Sequence, residues 1–152
     1  MGTRSRIAVM HGDNCKSVYC HWDGYLDHNG RILLEHFDST KANFLVALGD
    51  LSSLKPNIGE KHDFDDRDAC DTQCNFYGRD RGEPGTEFKT TDTFEKFLEL
   101  CDACCAEYYY IMKDGEWYVG TTYKSDTVMG SKLVPLAEAL AEHDIEAAEE
   151  EE

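Results

Sequence analysis

Alternation of apolar and polar positions near the start of the chain predicts a β-hairpin. Residues 6–11 and 16–21 are short runs rich in Val, Ile and Tyr, a composition that favours strands. Between them, Gly12-Asp13-Asn14-Cys15 has the composition of a turn. We therefore expect the sheet to begin with these two strands, joined by a four-residue loop.

A second hairpin is predicted around Asp114-Gly115, a dipeptide that favours a type I′ turn because both residues adopt positive φ readily. The flanking strands are residues 108–113 and 116–123. The two-residue loop sets the register, which gives four cross-strand pairs: Lys113 with Glu116, Met112 with Trp117, Ile111 with Tyr118 and Tyr110 with Val119.

Helical periodicity appears in the segment after the first hairpin. Apolar positions 33, 34 and 37 predict a short helix over residues 31–37. Ser39 or Thr40 is placed to cap a second helix, and Gly49 is a natural end for it.

The most regular helical pattern begins after Asp92, which forms a capping pair with Glu95. Its apolar stripe consists of Phe94, Phe97, Leu98, Cys101 and Cys105. A last helix is predicted to open at Pro135, which suits a first-turn position.

Two further short strands are predicted at residues 74–77 and 86–90, whereas residues 50–73 are polar and show no clear period. This order of elements predicts an α+β fold with an antiparallel sheet of about five or six strands and about four helices. We expect one globular domain over residues 1–144 and no membrane-spanning or secretory segment, and therefore a cytoplasmic protein.

Acidic residues outnumber basic ones by 31 to 15, which gives a formal charge of -16. Eight of the acidic residues lie between residues 138 and 152, where there is no Lys or Arg. Residues 145–152 are almost entirely Glu and Ala, so we expect them to form a disordered acidic tail. Either this tail keeps the protein solvated or it mimics a phosphate backbone.

A second acidic cluster has the turn-forming composition of a loop, with Arg67 as its one cation; its members are Asp63, Asp65, Asp66, Asp68 and Asp71. It is either a solvated connection or part of a binding surface. Because affinity for nucleic acid depends on Lys and Arg that neutralise phosphates, the charge disfavours direct binding of DNA or RNA.

Seven cysteines, an odd number, argue against a disulfide framework and favour reduced thiols. The spacing of Cys70, Cys74, Cys101 and Cys104 permits a four-thiolate zinc site. Because Cys101 lies on the apolar stripe of the predicted helix, core packing is the interpretation that we favour. We expect no metal or cofactor, and a zinc-stabilised module is the alternative.

Two polar segments are the candidate binding residues. In the first, Trp22 and Tyr25 are flanked by Asp23 and Asp27, and they either form a recognition surface or close the end of the sheet. The second is a charged turn with Arg79, Asp80, Arg81 and Glu83. Its arginines either clamp an anion, with Asp80 or Glu83 as a base, or pair with neighbouring acids. The sequence contains no signature of a common hydrolase or nucleoside triphosphatase.

Three segments, YCHWDGYL at residues 19–26, LGDLSSL at 48–54 and FYGRDRGE at 76–83, resemble a family of small proteins encoded by tailed phages and prophages. The likeness runs from about residue 4 to residue 117. The resemblance implies a phage origin and a location in the host cytoplasm, and it implies no catalytic residues.

Taken together, these features predict a non-enzymatic phage accessory protein. Its partner is expected to be a host protein with a basic surface, such as a defence or nucleic-acid-processing protein, inhibited by an acidic surface that stands in for DNA. The alternative is a binder of a small anionic or nucleotide ligand, or a modest hydrolase, at the turn that carries Arg79.

Overall fold

One sheet organises the part of the chain that this computed structural model describes, residues 3–121 and 133–150. Its strands are β1 Ser5–His11, β2 Asn14–Cys20, β3 Leu51–Ser53, β4 Asn75–Phe76, β5 Lys89–Thr91, β6 Tyr108–Lys113, β7 Glu116–Thr121 and β8 Val134–Pro135. They are arranged in the order β4-β3-β2-β1-β6-β7-β8, and β5 also pairs with β2.

The α+β class is confirmed, but the sheet is larger than predicted and it is not purely antiparallel. Eight strands occur in the described residues instead of five or six. At the centre of the sheet β1 pairs in parallel with β6, and β2 pairs in parallel with β3. Parallel neighbours need a long connection, and the chain supplies one by placing most of its helices between β2 and β6.

Both predicted hairpins are present. At the second turn φ is 53° for Asp114 and 78° for Gly115, and all four predicted pairs from Lys113–Glu116 onward are confirmed. In the first hairpin the loop is shorter than predicted, because His11 pairs with Asn14 and only two residues turn between them. Gly12, at φ 63°, allows this tight turn.

The described residues contain six α-helices and one π-helical turn, Leu26–Gly30: α1 Arg31–His36, α2 Ser39–Ala47, α3 Arg67–Thr72, α4 Tyr77–Arg81, α5 Phe94–Ala103 and α6 Leu136–Glu150. This is more than the four predicted, because α3 and α4 lie in segments that were expected to be a loop and a turn. Both helices are very short, and charged residues make up much of their length.

Two helix starts differ from the prediction by one residue. Asp38, not Ser39 or Thr40, caps α2 by accepting a hydrogen bond from the backbone N–H of Lys41. Thr93, not Asp92, caps α5. Serine, threonine and aspartate are all good capping residues, so composition alone does not select among adjacent candidates.

The last helix reaches further than expected. Leu136, Ala139 and Leu140 pack into the core. Beyond them α6 continues through residues 145–150, which we expected to be disordered. Glu and Ala are strong helix formers that prolong a helix once packing has nucleated it. Residues 151–152 lie outside the described residues.

Hydrophobic clusters cover both faces of the sheet. On β1, Ile7 and Val9 point to the first face, and Ala8 and Met10 point to the second. The first-face cluster includes buried residues of α1, α2 and α6, among them Leu33 and Leu45, whereas α5 covers the second face. None of the described helices is long and apolar enough to span a bilayer.

The sheet separates the cysteines of the possible zinc site. Cys74 belongs to the first-face cluster and Cys101 to the second-face cluster. The four thiols are therefore not brought together. Among the described residues, no group of three or more His, Cys, Asp or Glu side chains is placed to bind a metal ion. The prediction that Cys105 belongs to the apolar stripe is wrong. The helix α5 ends at Ala103, and Cys105 is exposed with a φ of 60°.

Candidate binding surface

The second face of the sheet is only partly covered. The cluster under α5 includes Ala8, Met10 and Cys15, which lie towards the first hairpin turn. Tyr19, near the other end of β2, is outside that cluster and only half-buried. The side chains of this face thus become partly accessible where β2 ends.

Five partly exposed rings occupy this area: Tyr19, His21, Trp22, Phe64 and Tyr77. We call them the aromatic strip. The Tyr19 hydroxyl and Nδ1 of His21 share a hydrogen bond at 2.6 Å, and the rings of His21 and Trp22 meet edge to face at 4.7 Å. Phe64 stacks on Tyr77 with ring centroids 5.5 Å apart.

Ser52 joins the two halves of the strip. Its carbonyl accepts a hydrogen bond from the backbone N–H of Trp22 at 3.0 Å. Its side chain forms a hydrogen bond with Tyr77. The first candidate segment, which carries Trp22, and the helix α4, which carries Arg79 to Arg81, thus meet at one residue of β3.

The strip is uncharged at neutral pH. Burial raises the pKa of Tyr19 to about 12, although the nearby Arg4 acts in the opposite direction. Burial also raises the pKa of Tyr77, although the hydrogen bond with Ser52 lowers it. The pKa of His21 is lowered from 6.5, first by burial and second by the charge of Arg4. Neutral phenols and a neutral imidazole leave ring faces and hydrogen-bonding groups available to a partner.

Residues 63–71, a turn followed by most of the helix α3, begin beside the strip because Phe64 belongs to both. We call them the acidic loop. Its five carboxylates are Asp63, Asp65, Asp66, Asp68 and Asp71. Asp63 and Asp66 each accept backbone N–H hydrogen bonds within the loop. Among the described residues, none of the five lies within 4.0 Å of a cationic side chain. The loop therefore presents unpaired negative charge next to aromatic rings.

Asp80 fastens the start of this loop to α4. Its carboxylate accepts hydrogen bonds from the backbone N–H of His62 at 3.0 Å and of Phe76 at 2.8 Å. Nε of Arg79 donates a third at 3.0 Å. The Asp80 side chain is fully buried, so these bonds replace water around its charge.

The arginines of the charged turn have internal partners. Arg79 donates from Nη1 to the Ile58 carbonyl and from Nη2 to the Cys74 carbonyl, both at 2.9 Å, in addition to Asp80. Its guanidinium is therefore not an open anion clamp, and a buried, fully bonded Asp80 is not placed to act as a base. Arg79 and Asp80 of α4 instead pair with each other, which is the second of the two interpretations given for this segment.

Arg81 is the exposed arginine of the same helix. Its guanidinium carbon lies 4.5 Å from the ring centroid of Phe64 and 5.1 Å from that of Tyr77. Nη2 donates to Glu83 at 3.1 Å. The end of the strip already accommodates a guanidinium between aromatic rings and a carboxylate.

The first candidate segment divides between two surroundings. Trp22 is 44% exposed and belongs to the strip, whereas Tyr25, 42% exposed, lies beside His28. Asp23 is half-buried, at φ 57°.

The fourth member, Asp27, forms an ion pair with Arg31 at 2.7 Å, and Arg31 also pairs with Asp144 of α6 at 2.7 Å. Trp22 is therefore the member of the segment that contributes most directly to the strip.

The two acidic clusters do not combine into one face. The acidic loop precedes β4, at one edge of the sheet, whereas α6 packs on β7 and β8 at the other edge. This separation does not support mimicry of a nucleic acid by both clusters together. It leaves the acidic loop with its aromatic neighbours as the better-defined surface.

Sequence reasoning missed most of the strip. Tyr19, His21, Phe64 and Tyr77 were not candidate residues. A signal was present in β2, because Tyr19 and His21 are two positions apart and a strand places such residues on one face.

Comparison of the chain with family models, with curated proteins and with solved structures gave no match.

Proposed function

We propose that the chain is a non-enzymatic binding protein that holds a basic segment of a protein partner against the aromatic strip and the acidic loop. The observation that carries the proposal is the stacking of Phe64 on Tyr77 at the start of a loop whose five carboxylates have no cationic side chain within 4.0 Å among the residues that the structure describes. Ring faces attract Arg and Lys through cation–π interactions, and carboxylates bind the same side chains through charge-assisted hydrogen bonds.

The placement of Arg81 supports an arginine-containing partner. Phe64 and Tyr77 already hold its guanidinium, and in this proposal a second guanidinium, from the partner, stacks on the exposed ring of Trp22 further along the strip. Exposed Trp and Tyr side chains dominate binding energy at protein interfaces. The net charge of -16 favours a basic protein over a nucleic acid.

From the resemblance of the three sequence segments to phage-encoded proteins, we propose that the partner is a protein of the bacterial host. In this proposal the bound surface of the host protein is one that it needs for its own work, so that binding inhibits it. The acidic loop occupies the place of an anionic ligand there, and the aromatic strip supplies affinity that charge alone lacks.

Calorimetric titration with synthetic peptides tests the proposal. The probes are an Arg-rich peptide, a Glu-rich peptide of the same length, and a single-stranded oligothymidine. We expect the Arg-rich peptide to bind, and the affinity to fall with added salt because exposed charges are screened. We expect no binding of the Glu-rich peptide. Binding of the oligothymidine alone, or of no probe, would contradict the proposal.

Two sets of variants locate the binding. Trp22→Ser is expected to lower the affinity for the Arg-rich peptide by at least about five-fold, which corresponds to a loss of about 1 kcal/mol in binding free energy. Asp65→Asn with Asp68→Asn removes two charges from the acidic loop. The matched control, Glu95→Gln with Glu99→Gln, removes two charges from exposed positions of α5 and is expected to retain more affinity than the loop variant.

A further inference from the structure

A cleft of about 470 Å³ lies at the end of the sheet where the two hairpin turns are, the opposite end of β2 from the aromatic strip. It is bounded by the second hairpin, by the junction between α1 and α2, and by the first turn of α6, where Ala137 leaves space. A smaller cleft of about 300 Å³ adjoins it and shares Ser39, Met112 and Gly115 with it.

The floor of the larger cleft is apolar and fixed in position. Phe37, Met112 and Trp117 line it, and each is at most 4% exposed. The indole Nε1 of Trp117 donates a hydrogen bond to the Phe37 carbonyl at 2.9 Å, which ties the hairpin to the helix junction. The accessible apolar side chains of the lining are Leu34, which is 37% exposed, and Ala137, which is exposed.

The rim of the cleft is acidic. Glu35, Asp38 and Glu116 are exposed members of its lining, and Asp114 belongs to the adjoining cleft. Within residues 3–121 and 133–150, no Lys or Arg lines either cleft.

Two of these carboxylates differ in how far they are already engaged. Glu35 lies 3.9 Å from Arg31. Glu116 accepts a hydrogen bond from the Tyr118 hydroxyl at 3.1 Å and has no cationic side chain within 4.0 Å among the described residues.

We propose that this cleft binds a small organic cation, an alkyl guanidinium or alkyl ammonium. Its hydrocarbon part packs against the apolar lining, chiefly the exposed Leu34 and Ala137, and its charged end meets Glu116 and Asp38. An anion is repelled by the rim, and a bare metal ion leaves the apolar floor unused, whereas a cation with a hydrocarbon stem satisfies both. The same chemistry is offered by a free amine or guanidine and by an Arg or Lys side chain of a polypeptide.

Nuclear magnetic resonance titration tests the proposal through the indole N–H signal of Trp117. The chain has two tryptophans, so Trp22→Ser leaves one indole signal and also weakens the aromatic strip. The probes are butylguanidinium, the uncharged butylurea of similar shape, and an arginine blocked at both ends. We expect butylguanidinium to shift the signal with saturation, and butylurea to bind at least about five-fold more weakly.

The blocked arginine distinguishes the source of the cation. If both guanidinium probes bind, the cleft accepts free cations and polypeptide side chains alike. If only one of them binds, the cleft accepts only the kind of cation that this probe represents. Saturation by butylurea at the same concentrations as butylguanidinium, or no response to either guanidinium probe, would overturn the proposal. Since the titrations are read at Trp117, which lines the cleft and lies outside the strip, their result is independent of the strip.

Two substitutions confirm the position of the cation. Glu116→Gln is expected to lower the affinity for butylguanidinium about five-fold, which corresponds to about 1 kcal/mol in binding free energy. The control Glu99→Gln on α5 is expected to leave that affinity unchanged. Ala137→Leu fills the cleft and is expected to abolish binding, whereas Ala141→Leu, exposed on the same helix outside the lining, is expected to preserve it. Full affinity in both Glu116→Gln and Ala137→Leu would place the cation elsewhere and overturn the proposal.

Discussion

Nε of Arg79 donates a hydrogen bond to the Asp80 carboxylate over 3.0 Å, and the Asp80 side chain is wholly buried. The pair joins α4 to the start of the acidic loop, because Asp80 also accepts a hydrogen bond from the backbone N–H of His62. Arg79 and Asp80, which the sequence offered as a possible anion clamp and a possible base, thus hold the binding surface together.

We predict that Asp80→Asn lowers the free energy of unfolding by about 3 kcal/mol, because it leaves the guanidinium of Arg79 without its buried countercharge. Urea denaturation measures this loss. Glu83→Gln breaks the exposed pair with Arg81 and is expected to cost less than about 1 kcal/mol. Equal stabilities of the two variants would contradict the buried network.

Acid stability depends in part on His21. Burial and the charge of Arg4 hold its pKa in the folded state below 6.5. The unfolded chain therefore binds this proton more tightly, so the stability is complete above pH 6.5 and declines as the pH falls through 6.5 towards the folded-state pKa. We predict that His21→Asn flattens the decline over that range. A nuclear magnetic resonance titration that gave His21 a pKa above 6.5 would refute this prediction.

Gly49 has both a left-handed backbone and a close neighbour. Its φ is 97°, and an added Cβ would lie 2.5 Å from the carbonyl oxygen of Thr86. We predict that Gly49→Ala destabilises the protein by more than about 2 kcal/mol, since strain and a backbone clash combine. Gly82→Ala is the control, because φ is 72° there and the added Cβ meets no atom within 4 Å. Chemical denaturation that found the same loss for both would refute the close approach.

Thiol labelling distinguishes the exposed cysteine from the core cysteines. We predict that iodoacetamide modifies exposed Cys105 first in the native protein. Cys15, Cys20, Cys74 and Cys101 are buried, and burial raises their pKa, to about 12 for Cys15 and Cys20 and about 11 for Cys74. They are expected to react only after unfolding. Mass spectrometry that showed Cys101 labelled as fast as Cys105 would contradict the packing of α5.

Local interactions account for the parts of the fold that could be predicted. The register of β6 and β7 follows from Asp114-Gly115, because a two-residue turn specifies the pairs that extend from it. The parallel pairing of β1 with β6 joins residues about a hundred positions apart, and no local pattern encodes it. The missed helix α4 has a charged composition that suits a turn equally well, and buried contacts of Asp80 decide between the two.

The candidate site was predicted in part for the same reason. Trp22 was recognised because a large aromatic residue stood out in a polar segment. Tyr77 and Phe64 were missed, since their stacking joins two segments that pack together only in the folded chain. Arg79 was interpreted as a possible ligand-binding residue, because sequence does not reveal that backbone carbonyls of Ile58 and Cys74 accept its hydrogen bonds.

Amide chemical-shift mapping of the isotope-labelled protein with an Arg-rich peptide tests the proposed binding surface most directly. The account predicts shifts concentrated on residues 19–22, 52, 63–68 and 77–81, and their reversal at about 0.5 M salt, where charges are screened within a few ångströms. Shifts concentrated on the acidic helix α6, or spread evenly over all exposed carboxylates, would contradict it.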